Sequence, residues 1–199
     1  MSSREEILAR VRAALTANPE PAPRIPRNYR EPVTSERAEL VARFVDRVSD
    51  YRAIVVECAQ EEVAVRLAEA VPEGASVIVP QGLTYPVPGA VIDHGQSASE
   101  LDRVDAVVTL AALGIAETGT IVLTHGPGQG RRSLTLVPDT HVCIVGADQV
   151  VAGVVDAIAA LDPNSPTTWI SGPSATSDIE LQRVEGVHGP RTLHVIVVS

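Results

Sequence analysis

The chain contains no lysine, because all 16 of its basic residues are Arg. This absence excludes a Schiff base to pyridoxal phosphate, the lysine of a phosphate-binding P-loop and a lysine nucleophile. Arginine remains, and its planar guanidinium group fits carboxylate and phosphate oxygens in pairs. Recognition of an anion by this protein would therefore depend on Arg and on backbone amides.

Aromatic residues are also scarce, and the net charge is negative. Phe, Trp and Tyr make up 3% of the chain, the formal net charge is −9 and the pI is about 5.0. Binding of duplex nucleic acid needs a basic surface, and binding of single strands uses aromatic stacking. We therefore expect no nucleic-acid partner.

Cysteine is limited to Cys58 and Cys143, too few for an iron–sulfur cluster or a structural zinc site. Both lie beside apolar runs, which predicts buried free thiols. No apolar run approaches the ~18 residues of a membrane span, and the N-terminus lacks a signal core. We expect a cytoplasmic protein with no cofactor of its own, no metal site and no membrane span.

The first 33 residues predict an N-terminal arm, followed by one α/β domain over residues 34–199. Ser3 and Glu6 have the spacing of a capping box, and a short apolar face follows them. Residues 16–33 hold five prolines, which is typical of an extended connector. Whether the arm docks on the domain, on a partner or on a second copy of the chain is open.

Residues 34–199 alternate between helical and strand-like patterns. Helices are predicted over residues 35–49, 61–71 and 98–104, and strands over residues 53–57, 75–80, 91–93 and 105–110. Apolar strands of this kind suit a mostly parallel sheet buried between helices. The fold class predicted is a three-layer α/β/α arrangement.

The second half predicts a partly mixed sheet. Strands are expected over residues 120–124, 134–137, 141–146, 167–171 and 193–198. The short gaps between the first three favour antiparallel or mixed pairing, because a parallel crossover needs about a dozen residues. Asp148 is predicted to cap a helix that runs to Leu161, with its valines and Ile158 facing inward.

Polar loops in this half supply the candidate binding residues. Arg131 and Arg132 follow the glycine-rich segment 126–130, which is either an anion-binding loop or a flexible hairpin tip. Residues 171–180 combine glycine, hydroxyls and acids, which suits either a binding loop or the capped start of a helix. The binding candidates here are Ser171, Gly172, Ser174, Thr176 and Glu180, and Asp178 is a catalytic candidate that could take a proton from the substrate hydroxyl. We expect both Arg residues and these loops to share one anion-binding pocket.

Two further segments carry candidate catalytic groups. Glu117, followed by Thr118 and Gly119, is either a nucleophile or general base, or a turn residue bonded to local backbone. His188 lies in a glycine-rich loop and is the best histidine candidate for proton transfer. His141 and His194 lie in strand-like runs and are interpreted as packed.

These loops resemble the lactate utilization (LUD) domain family, in its short protein C branch. The resemblance rests on residues 114–123 (GIAETGTIVL), 136–145 (LVPDTHVCIV), 170–181 (ISGPSATSDIEL) and 186–190 (GVHGP). It covers roughly residues 35–199 and matches the N-terminal arm only loosely.

The resemblance implies the α/β/α fold shared by phosphosugar isomerases, coenzyme A transferases and formyltetrahydrofolate cyclo-ligase. It implies a role in the oxidation of L-lactate to pyruvate together with two companion proteins that hold iron–sulfur clusters. The chain would then be an accessory or substrate-binding subunit that binds lactate or a similar anion. Within the wider fold, Glu117 is the residue to align with the nucleophilic glutamate of coenzyme A transferases.

Two other functions stay open. One is a stand-alone acyl or coenzyme A transferase or a phosphosugar isomerase, with Glu117 as nucleophile or base. The other is a non-catalytic interaction module that docks through the N-terminal arm. Homo-oligomerisation is compatible with each of them.

Overall fold

The computed structural model describes residues 2–17, 24–26, 35–174 and 189–199. The chain divides into two compact units, Met1–Arg30 and Glu31–Ser199. The boundary predicted after residue 33 adjoins residues outside the described ranges, and it stays a prediction.

The first unit contains helix α1, Ser3–Ala17. Its cap is formed by Ser2 and Glu5: the Glu5 amide donates to Ser2 Oγ at 3.3 Å, and the Ser2 amide donates to Glu5 Oε2 at 2.7 Å. The capping box predicted at Ser3 and Glu6 is therefore one residue too late. Consecutive serines and consecutive glutamates give the same spacing in both registers, so the pattern could not choose between them.

The second unit is built on a parallel sheet. Its helices are α2 (Arg37–Asp50), α3 (Val63–Ala70), α4 (Ala98–Leu101) and α5 (Val154–Ala160). Its strands are β1 (Ile54–Cys58), β2 (Val77–Val79), β3 (Val91–Ile92), β4 (Ala106–Leu110), β5 (Leu113–Ile115), β6 (Thr120–Leu123), β7 (Thr140–Gly146), β8 (Val150–Val151), β9 (Thr168–Ile170) and β10 (Thr192–Val198). Among the described residues, six strands form the large sheet in the order β1-β10-β7-β4-β2-β3, with every pairing parallel.

Strand β7 shows how the large sheet separates two apolar layers. Cys143 packs in the cluster that contains Phe44 of α2, and Ile144, its neighbour in the strand, packs in the cluster that contains Leu67 of α3. Successive side chains of a strand point to opposite faces, so helices cover both sides of the sheet. The predicted three-layer α/β/α class is confirmed.

A second sheet of four described strands, in the order β8-β5-β6-β9, packs on the α2 side. Strand β6 is antiparallel to β5 and β9, and β5 is parallel to β8, so mixed pairing is present. It does not join the strands for which the short gaps predicted it, because β6 and β7 lie in different sheets and β7 has only parallel neighbours among the described strands. Gly114 of β5 faces Phe44: a Cβ there would lie 2.9 Å from the ring. The small sheet approaches α2 this closely because position 114 has no side chain.

Two predicted elements are wrong. Residues 134–137 do not form a strand: Arg132–Thr135 is a 3-10 helix that buries Leu134. The helix predicted from Asp148 begins at Val154, because Val150–Val151 pair with β5 instead. Of the side chains predicted to face inward, Val154, Val155 and Ile158 are exposed.

Candidate functional site

A cavity of about 790 Å³ lies where the small sheet meets the large one. We call it the His141 cavity, and its polar wall residues include Arg132, His141, Thr168, Ser171, Ser174 and Arg191. Such a volume falls within the range of about 300–1,000 Å³ typical of small-molecule sites.

The cavity opens at the amino ends of two strands of the large sheet. His141 is the second residue of β7, and Arg191 directly precedes β10. Ser171 and Ser174 follow the end of β9 in the small sheet. Open α/β sheets usually bind ligands at the carboxyl ends of their strands. In this protein, the residues that follow β9 bring the hydroxyl groups of Ser171 and Ser174 to the amino-terminal edge of the large sheet instead.

The charged groups of the cavity are two guanidinium groups and two carboxylates. Arg191 Nε lies 3.7 Å from Asp139 Oδ1, and both side chains are about two-thirds exposed, so this pair is weak. Among the described residues, the Arg132 guanidinium has no ion-pair partner. Arg132 is therefore the cation most available to an anionic ligand.

His141 lies at the base of the cavity and is fully buried. Its Nε2 lies 2.8 Å from Thr109 Oγ1, and Thr109 in turn donates to Cys143 Sγ at 3.6 Å. Burial lowers the pKa of the imidazole from 6.5 to about 4, so the ring is neutral at neutral pH. Within the described part of the chain, His141 Nδ1 and Ser174 Oγ are buried without a hydrogen-bond partner.

The structure brings four of the predicted binding residues together, namely Arg132, Ser171, Gly172 and Ser174. Gly172 has φ +94°, and a Cβ there would lie 3.0 Å from the Tyr51 side chain, so glycine is required at this turn.

Thr118 reaches the same cavity indirectly. Its hydroxyl lies 2.7 Å from the Thr120 hydroxyl, which lies 2.8 Å from Ser171 Oγ. The three hydroxyls form a chain that ends at the cavity wall, and this chain holds Ser171 in position.

Arg131 does not join its neighbour in the His141 cavity. Its Nε and Nη2 donate to the two carboxylate oxygens of Asp93 at 2.9 and 3.0 Å, and Nη2 also donates to the Gln96 carbonyl. The guanidinium group lowers the pKa of the Asp93 carboxyl. Arg131 lines a different cavity with Asp93 and His125. It ties the loop after β3 to the 3-10 helix.

Glu117 and Gly119 occupy the turn between β5 and β6. The Glu117 side chain is exposed, is not among the residues that line the His141 cavity, and has Oε2 beside Gly153. Gly119 has φ +62°, and a Cβ there would lie 2.7 Å from the backbone of Arg47 in α2. These contacts give Gly119 a clear role in packing the turn against α2.

The remaining predicted residues, Thr176, Asp178, Glu180 and His188, lie outside the described residues. Ser174 and Gly189, which bound the segment 175–188, both line the cavity.

Sequence reasoning missed His141 and Arg191 as cavity residues. His141 has the strand pattern of a packed residue, and it is packed, but its ring also borders the cavity. The signal that could have found it is its place in the segment 136–145, where a polar ring follows Pro138, Asp139 and Thr140 at the start of an apolar strand. Arg191 directly follows the segment 186–190.

Two kinds of feature are absent from the described residues. In those ranges, no three or more His, Cys, Asp or Glu side chains are grouped to hold a metal ion. No described helix combines the length and the apolar character needed to cross a membrane.

Comparison with known proteins places these residues in a family. The LUD domain model matches residues 93–198, a range that includes the whole wall of the His141 cavity. A lactate utilization protein C from Deinococcus radiodurans is 46% identical over 197 residues, covering 94% of this chain and 91% of the relative. A lactate utilization protein C from Bacillus subtilis is 32% identical over 116 residues, covering 54% of this chain and 48% of the relative.

A solved structure has the same fold. The crystal structure of a DUF162 family protein from Deinococcus radiodurans is 40% identical, with a TM-score of 0.70, and covers 83% of this chain and 100% of that chain. The family match, the relative aligned over 94% of the chain and the shared fold agree. The chain belongs to the lactate utilization protein C family of LUD domain proteins.

Proposed function

We propose that this protein takes part in lactate utilization by binding L-lactate, or a similar small carboxylate, in the His141 cavity. The names of its relatives support the pathway. The observation that carries the site is that Arg132, which has no ion-pair partner among the described residues, lines the same cavity as Ser171 and Ser174. A guanidinium group binds a carboxylate through two parallel hydrogen bonds, and hydroxyl groups add further donors.

Electron transfer is assigned to other proteins in this proposal. Oxidation of lactate to pyruvate releases two electrons, and two companion proteins with iron–sulfur clusters would accept them. With Cys58 and Cys143 both buried free thiols, this chain's cysteines offer no exposed cluster ligands. The chain would act as the substrate-binding subunit.

Binding is tested by calorimetry with L-lactate, pyruvate, coenzyme A and sugar phosphates. The cavity is larger than a three-carbon acid needs, so larger carboxylates belong in the panel. Arg132→Gln should weaken carboxylate binding by about 10- to 100-fold, because a charge-assisted hydrogen bond contributes about 1.5–3 kcal/mol. Arg43→Gln, on the exposed face of α2, removes the same charge away from the cavity and should leave binding unchanged.

Two results would overturn the proposal. One is a wild-type protein that binds no carboxylate. The other is equal binding by the Arg132→Gln and Arg43→Gln variants.

The division of labour has its own test. The purified chain should not transfer electrons from L-lactate to a dye, and addition of the two companion proteins should start the reaction. Turnover by the chain alone would instead favour a stand-alone enzyme, and Glu117→Gln would then show whether its carboxylate takes part.

A further inference from the structure

The His141 ring has one bonded and one unbonded nitrogen in the described structure. Nε2 is bonded to Thr109, whereas Nδ1 is buried without a partner. A buried polar atom without a hydrogen bond destabilises the folded state, so such atoms are rare in folded proteins. Because the ring borders the cavity, Nδ1 is the atom left for a bound molecule.

The contacts of Thr109 give an assignment of the ring proton. The Thr109 hydroxyl lies 3.6 Å from Cys143 Sγ, and with that hydroxyl as the donor to sulfur, its oxygen is left to accept from His141 Nε2–H. A neutral imidazole has a proton on one nitrogen and a lone pair on the other. With the proton on Nε2, Nδ1 is a hydrogen-bond acceptor and requires a donor from the ligand.

The charges around the ring agree with this assignment. The cavity walls hold Arg132 and Arg191 as cations and Asp102 and Asp139 as anions. On the ring's own strand, burial raises the pKa of the Cys143 thiol to about 12, so the thiol is neutral. The burial that keeps the imidazole neutral also keeps the Nδ1 lone pair free at neutral pH.

We propose that His141 Nδ1 accepts a hydrogen bond from the hydroxyl of a 2-hydroxy carboxylate whose carboxylate is bound by Arg132. This inference rests on the proposed function and names the residue of the same site that recognises the hydroxyl of the substrate. His141 is then the residue that selects a 2-hydroxy acid over the corresponding deoxy acid. Thr109 is a positioning residue, because it fixes the tautomer of the ring.

The tautomer is measured directly by ¹⁵N NMR of the ligand-free protein. Nδ1 should show the shift of an unprotonated ring nitrogen, and Nε2 that of a protonated one. A protonated Nδ1 would refute the inference, because it would donate where we require an acceptor.

Selectivity is measured with L-lactate and propionate, which lacks the hydroxyl. The wild type should bind L-lactate about tenfold more tightly, the effect of one hydrogen bond. His141→Phe should abolish that preference while it keeps the affinity for propionate. Thr109→Val should reduce the preference, and Thr109→Ser, which restores the hydroxyl, should recover it.

The outcomes separate the two proposals. If the wild type binds neither acid, the proposed function fails. If it binds both equally, or if Thr109→Val and Thr109→Ser behave alike, only the role of His141 fails. The NMR measurement and the Thr109 pair stay decisive even where His141→Phe does not fold.

Discussion

Acidification should destabilise this protein through His141. The imidazole is fully buried, and burial lowers its pKa in the folded state to about 4, against 6.5 for an exposed ring. The unfolded chain therefore binds a proton at a pH where the folded chain does not. Stability from this residue is complete above pH 6.5 and is lost as the pH falls towards 4.

The size of the effect follows from the two pKa values. A difference of one pKa unit between the folded and unfolded states corresponds to about 1.36 kcal/mol. The fall from 6.5 to about 4 therefore corresponds to about 3 kcal/mol of unfolding free energy in total. Between about pH 7.5 and 5.5, where carboxyl groups stay ionised, the loss should be about 1.3 kcal/mol.

Urea unfolding at several pH values measures this loss. The control is His141→Gln, whose amide cannot titrate and can still bond to Thr109. The other four histidines are the same in both proteins, including His194, whose pKa burial also lowers. The difference between the two pH profiles therefore isolates His141. Equal losses of unfolding free energy in both proteins would contradict the reasoning.

Three more predictions concern packing, an ion pair and the thiols. Phe44→Ala should lower the free energy of unfolding by about 3–5 kcal/mol, measured by urea unfolding, because the ring is fully buried between α2 and both sheets. Asp93→Asn should cost about 1–2 kcal/mol by the same assay, since it weakens a two-bond ion pair whose partner, Arg131, is partly exposed; no change would mean that water replaces the pair. Cys58 and Cys143 should resist iodoacetamide in the folded protein and react in urea, because burial is the main cause that raises both thiol pKa values; mass spectrometry of the folded protein would reveal any exception.

The strands of the large sheet were predictable because their apolar runs are continuous. Strand β7 was predicted within one residue, and β10 likewise. The small sheet was harder. Strand β5 was missed because Gly114 at its centre lowers strand propensity, and only the Phe44 ring explains that glycine.

Helix α5 shows how tertiary contacts override a local pattern. Residues 148–161 have the composition of one helix, but Val150–Val151 find partners in β5 and leave the helix to start at Val154. Of the valines predicted to face inward, Val154 and Val155 then lie on the exposed side, whereas Val150 is buried. Short apolar runs fit helix and strand alike, so only the pairing partner could decide.

The sequence predicted the types of side chain in the candidate site, but only some of the residues that line it. The sequence alone determined that every Lys or Arg position is Arg, that a hydroxyl-bearing loop follows β9, and that the chain resembles the LUD domain family. Tertiary structure decided which of the two neighbouring arginines lines the His141 cavity: Arg131 is bonded to Asp93, 38 residues away, and Arg132 has no ion-pair partner among the described residues. It also decided that His141 borders a cavity. Whether a histidine in a strand is only packed or also borders a cavity depends on neighbours that are distant in the chain. The sequence shows which side chains are present at each position. Contacts between residues distant in the chain decide which atoms of those side chains are left to bind a ligand.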